Sequence, residues 1–391
     1  MPDWLDQLRA ELDDKSARSQ LRSLRVFDRC DRIVHHDGRP LVNLASNDYL
    51  GLASHPRLRD AVIDAATRYG TGAGSSRLVG GHLEVHERVE RRFAAFKHAQ
   101  AALLTPTGYA ANFAAITALA EAGDAILLDK LCHASLIDAA RLSGARVRVY
   151  PHGNLQKLQR LLDRYRSARR RLIVTDAVFS MDGDCADLPA LCELRDRYGA
   201  ILVVDEAHAT GVLGPTGAGL AEGQGVAGRV DVTISTAGKA LGSLGGVVTG
   251  DRVVIDTLIN SARSFIYTTA LPPQQAAAIE AALDVIESEP QRRQRLSQVV
   301  SQTRRMLREA GWAVAEDPTP IIPLVVGDNE SAVALAAKLE ARGFLVPAIR
   351  PPSVPPGSAR LRLSLRSDLT DEDVRGLIAA IGKPGSWVGE V

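Results

Sequence analysis

The run Val230-Asp231-Val232-Thr233-Ile234-Ser235-Thr236-Ala237-Gly238-Lys239-Ala240-Leu241-Gly242 decides how this chain is read. Its first half has the length and β-branched content of a strand. Its second half leaves that strand through two hydroxyls and a turn of small residues that presents a lysine. Upstream, Ile201-Leu202-Val203-Val204-Asp205-Glu206-Ala207-His208 has the same form, an apolar strand that ends in carboxylates and an imidazole. In an open parallel sheet, ligands bind outside the carboxyl ends of the strands. A lysine for a Schiff base at one strand end and an acid for a pyridinium nitrogen at another are the pair that pyridoxal phosphate (PLP) requires.

Outward from these two strands the pattern repeats. Strands are predicted at Ala101–Leu104, Ala125–Leu128, Arg146–Tyr150, Leu172–Thr175, Ile201–Asp205, Asp231–Ser235 and Gly246–Thr249, with helical spacing between most of them, as in Ala110–Ala120 and Leu188–Tyr198. Alternating βα units predict an α/β fold whose sheet is mostly parallel and covered on both faces. A helical pattern from Pro273 to Ala310, broken near Pro290, leads into a smaller α+β region. Its predicted strands are Ile321–Val326, Leu345–Ile349 and Arg360–Leu365, and its helices Ser331–Arg342 and Asp371–Ile381. Residues 3–33 carry seven acidic and seven basic side chains with leucines at helical spacing, which predicts one or two solvated amphipathic helices. Leu41-Val42-Asn43-Leu44 reads as a short strand. The expected division is an N-terminal segment (1–51), a large cofactor-binding domain (52–275) and a C-terminal α+β domain (276–391).

Composition excludes several classes. With 46% hydrophobic and 24% charged residues, the 391-residue chain is ordinary for a globular protein with a sizeable core. A formal net charge of +1 gives no global attraction to nucleic acid or to an anionic membrane, and 4% aromatics leave little for base stacking. Cys30, Cys132, Cys185 and Cys192 lack C-x-x-C spacing, so neither a zinc site nor a dithiol centre is expected. No apolar signal region or long apolar run occurs, so the expectation is a soluble cytoplasmic protein with no membrane partner.

Asp205-Glu206-Ala207-His208 also has the letters of a helicase box, but a nucleotide motor needs G-x-x-x-x-G-K-[ST]. Here position 233 is Thr and Ala240 follows Lys239, so that reading fails. For PLP, Asp205 beside the pyridine nitrogen would keep it protonated, and His208 would reach the phenolic oxygen. Ser180 ends the run Val174 to Phe179 at the same edge and is a second partner for that oxygen. The turn Thr107-Gly108-Tyr109 opens a helix and offers free N–H groups to a phosphate; the Thr236 hydroxyl is a second phosphate candidate. His133 follows the strand Ala125–Leu128. A lone histidine is more often structural, but at this edge its ring could stack on a cofactor. Gly72-Ala73-Gly74-Ser75-Ser76-Arg77 is as readily a helix-stop loop as a functional one. Arg350 precedes a rigid proline loop, either as a surface arginine or as a bidentate carboxylate binder. Arg169-Arg170-Arg171 is read as offsetting a helix dipole rather than binding nucleic acid.

Taken in order, Ser46-Asn47-Asp48-Tyr49-Leu50-Gly51-Leu52, Gly72-Ala73-Gly74-Ser75-Ser76-Arg77, Gly108-Tyr109-Ala110-Ala111-Asn112, Val178-Phe179-Ser180-Met181-Asp182-Gly183-Asp184, Asp205-Glu206-Ala207-His208 and Thr236-Ala237-Gly238-Lys239 resemble the α-oxoamine synthases. These are PLP enzymes of the aspartate-aminotransferase-like fold type I, and the likeness covers about residues 20–385. Ala348-Ile349-Arg350-Pro351-Pro352-Ser353-Val354-Pro355 is most similar to the branch that condenses L-alanine with a pimeloyl thioester, carried on an acyl carrier protein (ACP) or on coenzyme A (CoA), in biotin synthesis. The resemblance implies a homodimer. It implies that Lys239 carries PLP and removes the Cα proton, that Asp205 pairs with the pyridinium, and that His133 stacks on the ring. It gives His208 and Ser180 to the phenolic oxygen, and Thr236, Gly108 and Tyr109 to the phosphate, with Thr269 contributed by the second subunit. Arg350 is implied at the amino-acid carboxylate, with Arg22, Asn47, His133 and Ser353 lining the substrate site. Ser353 stands where the branch usually has Thr, and Ala237 where the family often has a larger residue. The alternatives are another branch of the family, or a non-catalytic relative that only binds.

Overall fold

The computed structural model describes residues 3–385. Two compact units emerge. The larger comprises Asp48–Ser180 and Asp184–Gln294; the smaller comprises the chain up to Asn47, Met181–Gly183, and the chain from Arg295 onward. The units are therefore not the three consecutive segments expected. Helix Pro273–Ser288 packs on helix Pro56–Tyr69 of the larger unit, which carries that unit past residue 275.

The larger unit is built on a seven-stranded sheet. In spatial order its strands are Ala101–Thr105, Gly246–Gly250, Val232–Thr236, Ile201–Asp205, Arg171–Asp176, Ala125–Asp129 and Arg146–Tyr150. All seven coincide with predicted strands to within a residue. Gly246–Gly250 runs antiparallel to both neighbours, and the other pairs are parallel. Ala101–Thr105 and Ala125–Asp129 are buried at every position, as strands covered on both faces must be. The edge strand Arg146–Tyr150 instead exposes Arg146 and Arg148, charges that discourage pairing with another chain. Helix Gly108–Leu119 lies on the sheet through Ala111, Ala114, Ala115 and Ile116, which pack among Ile126, Leu128, Val174, Val203, Ile234 and Val248. Three alanines let the helix approach closely, which brings its N-terminus down to the strand ends.

The smaller unit holds two three-stranded sheets. In one, Ile321–Gly327, Ala359–Ser364 and Ala348–Ile349 pair antiparallel. In the other, Ile33–His36 and Arg39–Asn43 form a hairpin, extended in parallel by Phe344–Leu345. The expected single strand Leu345–Ile349 is thus two strands in different sheets. Pro347 separates them; it has no N–H for a ladder, and its carbonyl accepts from Arg362 N. At the N-terminus there is one helix, Trp4–Ala17, with no buried residue. Residues 20–27 form no helix or strand, so the leucine spacing there does not mark a second helix. Helix Asp371–Ile381 starts at the capping box of Thr370 and Asp373.

Candidate active site

Three adjacent strands of the large sheet, Arg171–Asp176, Ile201–Asp205 and Val232–Thr236, end at one edge, and there the chain opens a cleft of about 150 Å³. Asp205 closes its strand and is buried. Asn112 Nδ2 donates to its Oδ2 at 2.8 Å, and Ala207 N donates to its Oδ1 at 2.8 Å. The same amide donates to Ser135 Oγ at 2.8 Å. Asn112 thus fixes the Asp205 carboxylate from the N-terminal half of helix Gly108–Leu119, while Asn112 Oδ1 is buried without a partner.

His133 caps helix Ala134–Leu142, accepting from Ser135 N, and its Nδ1 lies 2.7 Å from Ser135 Oγ. Its ring lines the cleft. Desolvation holds the imidazolium below its usual range; Asp205 opposes that shift and Lys239 reinforces it. His133 N donates to both oxygens of Asp176, at 3.1 and 3.4 Å. Asp176 is the strand partner of Asp205. Burial, and then the neighbouring Asp205, push its carboxyl well above the ordinary carboxylate range. Two acids side by side at a dry strand end do not both ionise readily.

At the other end of the cleft, Thr107 caps helix Gly108–Leu119 by accepting from Ala110 N at 3.0 Å. Gly108 sits against Thr236: a Cβ there would come within 3.1 Å of the Thr236 side chain. Without it, helix N–H groups and the Thr236 hydroxyl border the same space. Tyr109 Oη donates to Asp138 Oδ2 at 2.8 Å, which sets its ring on Phe113. Lys239, half-buried, enters the cleft from the turn after Thr236, a turn closed by Gly242 N donating to Lys239 O. Ser180 and His208 line the wall as well. His208 is buried, with Nδ1 2.7 Å from Tyr49 Oη.

The predicted set Lys239, Asp205, His133, His208, Ser180, Thr236, Gly108 and Tyr109 therefore shares one cleft. Thr269 does not line it; it is exposed. The remaining predicted residues belong to the smaller unit and gather there. Arg22 Nη2 donates to Ser353 Oγ at 3.4 Å, and Arg350 donates to Ser19 O. Burial, with Arg22 adding to it, lowers the Arg350 pKa. Asn47 Oδ1 accepts from Arg362 Nη1 at 3.1 Å. Sequence reasoning missed Asn112, Ser135, Asp176 and Tyr49. Asp176 had a visible signal, since it ends an apolar strand just as Asp205 does. Ser135 and Asn112 had none beyond their places near His133 and Gly108.

Residues 39–381 match the family described as aminotransferase class I and II. The 8-amino-7-oxononanoate synthase of Anaeromyxobacter dehalogenans is 49% identical over 378 residues, covering 96% of this chain and 95% of that protein. This chain belongs to the 8-amino-7-oxononanoate synthase family. Among solved structures, a synthase of that name from Francisella tularensis has a TM-score of 0.76 at 30% identity, covering 87% of this chain and 96% of its own. A serine palmitoyltransferase from S. paucimobilis with a bound PLP–myriocin aldimine reaches 0.92 at 27% identity, covering 97% and 98%. The fold is thus that of the PLP-dependent transferases of fold type I, and the cofactor of the synthase family is PLP. The cleft fits that cofactor in its donor set. It has an acid fixed by two donors, a lysine, and a glycine-opened helix N-terminus beside a threonine hydroxyl. Among the described residues no side-chain cluster could hold a metal, and no helix is long and apolar enough to cross a membrane.

Proposed function

We propose that this protein is an 8-amino-7-oxononanoate synthase, joining L-alanine to a pimeloyl thioester with loss of carbon dioxide and the free thiol, in biotin synthesis. The observation that carries the reading is Asp205, pinned by Asn112 and Ala207 N in the same cleft as Lys239. When bound, PLP supplies an electron sink conjugated to the Cα of the amino acid. Asp205 holds a proton at the pyridine nitrogen, because an adjacent anion raises the pKa of a base. His133, whose imidazolium desolvation disfavours, would stack on the cofactor ring without adding charge to it. His208 and Ser180, which line the cleft, would hold the phenolic oxygen. The N–H groups at Gly108 and Tyr109, with Thr236, would hold the phosphate.

Lys239 takes the proton from the Cα of alanine, so it acts in its neutral form. The carbon so freed attacks the pimeloyl carbonyl, the thiol leaves, alanine's carboxyl departs as carbon dioxide, and the same carbon takes a proton in its place. Arg350, with Arg22, Asn47 and Ser353, recognises the substrates, and Arg350 supplies the planar fork for a carboxylate. The protein works as a cytoplasmic homodimer in which the exposed Thr269 serves the phosphate of a second copy. Both ACP and CoA thioesters are candidate donors.

The purified protein should be yellow, and borohydride should fix PLP to the peptide bearing Lys239. With alanine and a panel of acyl thioesters, mass spectrometry should find 8-amino-7-oxononanoate from the pimeloyl donor. Label on another lysine, or product only from glycine or serine, overturns the assignment.

A further inference from the structure

The reaction above gives Tyr49 no part, yet its ring is fully buried and its hydroxyl meets His208 in the cleft wall. The turn that carries it is tightly specified. Asp48 Oδ1 accepts from Leu52 N at 2.8 Å and Oδ2 from Ala53 N at 3.2 Å, while Gly51 N donates to Asp48 O. Arg292 donates to Leu50 O at 3.2 Å. The turn also abuts the loop that carries Lys239. Gly242 has φ +61°, and a Cβ on it would run into the backbone of Leu52 and Ala53. One turn therefore touches both the lysine loop and, through Tyr49 Oη at 2.7 Å from Nδ1, His208.

That contact fixes more than position. A neutral imidazole has one N–H and one bare nitrogen, and the bond made by one nitrogen sets the state of the other. A tyrosine hydroxyl that donates to Nδ1 leaves the hydrogen on Nε2, the ring's other polar atom. Asp205, three residues earlier, is held by Asn112 and Ala207 N, so the start of this turn is rigid too. A phenolic oxygen that carries negative charge needs a donor, so the Nε2–H form is the useful one.

We propose that Tyr49 is a positioning residue for the cofactor: its hydroxyl donates to His208 Nδ1 and so presents His208 as an Nε2–H donor to the cleft. This rests on the PLP reading of the cleft. Tyr49→Phe keeps the buried ring and removes only the hydroxyl. The Tyr49→Phe holoenzyme should bind PLP about tenfold more weakly in titration of apoenzyme, equivalent to about 1.4 kcal/mol. Its visible absorption maximum should shift, and kcat should fall roughly tenfold while the KM for alanine changes little. His208→Gln should show the same defects, and adding Tyr49→Phe to it should cost little more, because Tyr49 acts through His208.

Nitrogen NMR of the wild-type holoenzyme with 15N-labelled histidine, with the His208 signal assigned by its loss in His208→Gln, should show the Nε2–H tautomer. A Nδ1–H tautomer overturns the proposal even if the tyrosine variant proves insoluble. So does a Tyr49→Phe enzyme with lowered melting temperature but unchanged PLP affinity and spectrum, which would mark a purely structural bond. Additive losses in the double variant have the same force. Failure of the wild-type protein itself to bind PLP would instead overturn the reading of the cleft.

Discussion

The cleft of the larger unit and the arginine cluster of the smaller one handle charge in opposite ways. In the cleft, titratable groups are answered from within: Asp205 by Asn112 and Ala207 N, Asp176 by His133 N, with His133 and Lys239 in the same electrostatic neighbourhood. Arg350 has no acidic partner among the described residues; its bond goes to a backbone carbonyl, and its charged neighbour is another arginine, Arg22. Like charges side by side without a counter-ion repel, and an anion relieves them. On the function proposed above, the contrast separates two tasks. A catalytic centre must be preorganised before substrate arrives, whereas a recognition cluster left short of negative charge gains most when a carboxylate binds.

The severest test of that division is Lys239→Ala. A positioned general base contributes about 10²- to 10⁴-fold, so product formation measured by mass spectrometry should fall by at least that factor. Near-normal turnover would remove the cleft from the chemistry and break the comparison outright.

The cleft side of this contrast was legible in the sequence because strands covered on both faces must be apolar throughout, so the polar residues ending them stand out. Asp205 and Lys239 were visible for that reason. Their supports were not. Asn112 lies in an alanine-rich helix and looks like any helical polar residue, and only the folded register brings it to Asp205. Tyr49 is read as core until His208 is placed beside it. On the other side, Arg350 was visible through its prolines, but its closeness to Arg22 joins positions far apart in the chain. The strand Leu345–Ile349 failed as a single element because Pro347 sends its halves to different sheets.

Arg350→Ala probes the recognition side. A charge-assisted hydrogen bond is worth roughly 1.5–3 kcal/mol, so alanine binding should weaken about ten- to a hundredfold by spectral titration. PLP content should be unchanged, and saturation by the pimeloyl thioester should move less. A variant that binds alanine normally but loses the acyl substrate would reassign the cluster to the pimeloyl end.

Asp205→Asn asks whether preorganisation in the cleft is a matter of charge or of shape. The amide keeps the size of the side chain but cannot balance a pyridinium. Turnover should fall by about tenfold or more, at 1.36 kcal/mol per decade, with PLP retained. Wild-type turnover would mean that another group, with Asp176 the nearest candidate, serves as the ring's acid.

The smallest effect concerns an ion-paired histidine on the larger unit. His152 bridges two carboxylates, with Nδ1 3.0 Å from Asp129 Oδ1 and Nε2 2.6 Å from Asp184 Oδ2, and its ring meets Phe179 edge-on, next to Ser180. These two hydrogen bonds, Asp129 first, raise its pKa to about 10, against desolvation. The unfolded value is about 6.5. Because the folded pKa is the higher one, the stabilisation is fully present below about pH 6.5 and is lost as pH rises through about 10. His152→Gln should therefore melt below the wild type at pH 6–7, and the gap should close towards pH 10. The pair is partly solvated, so it is worth about 1 kcal/mol or less and the gap should be roughly 1–3 °C. Melting curves of both proteins across pH 6 to 10.5 measure it. A gap that widens with pH would show that His152 is neutral in the fold, and that its two aspartates are satisfied by other means.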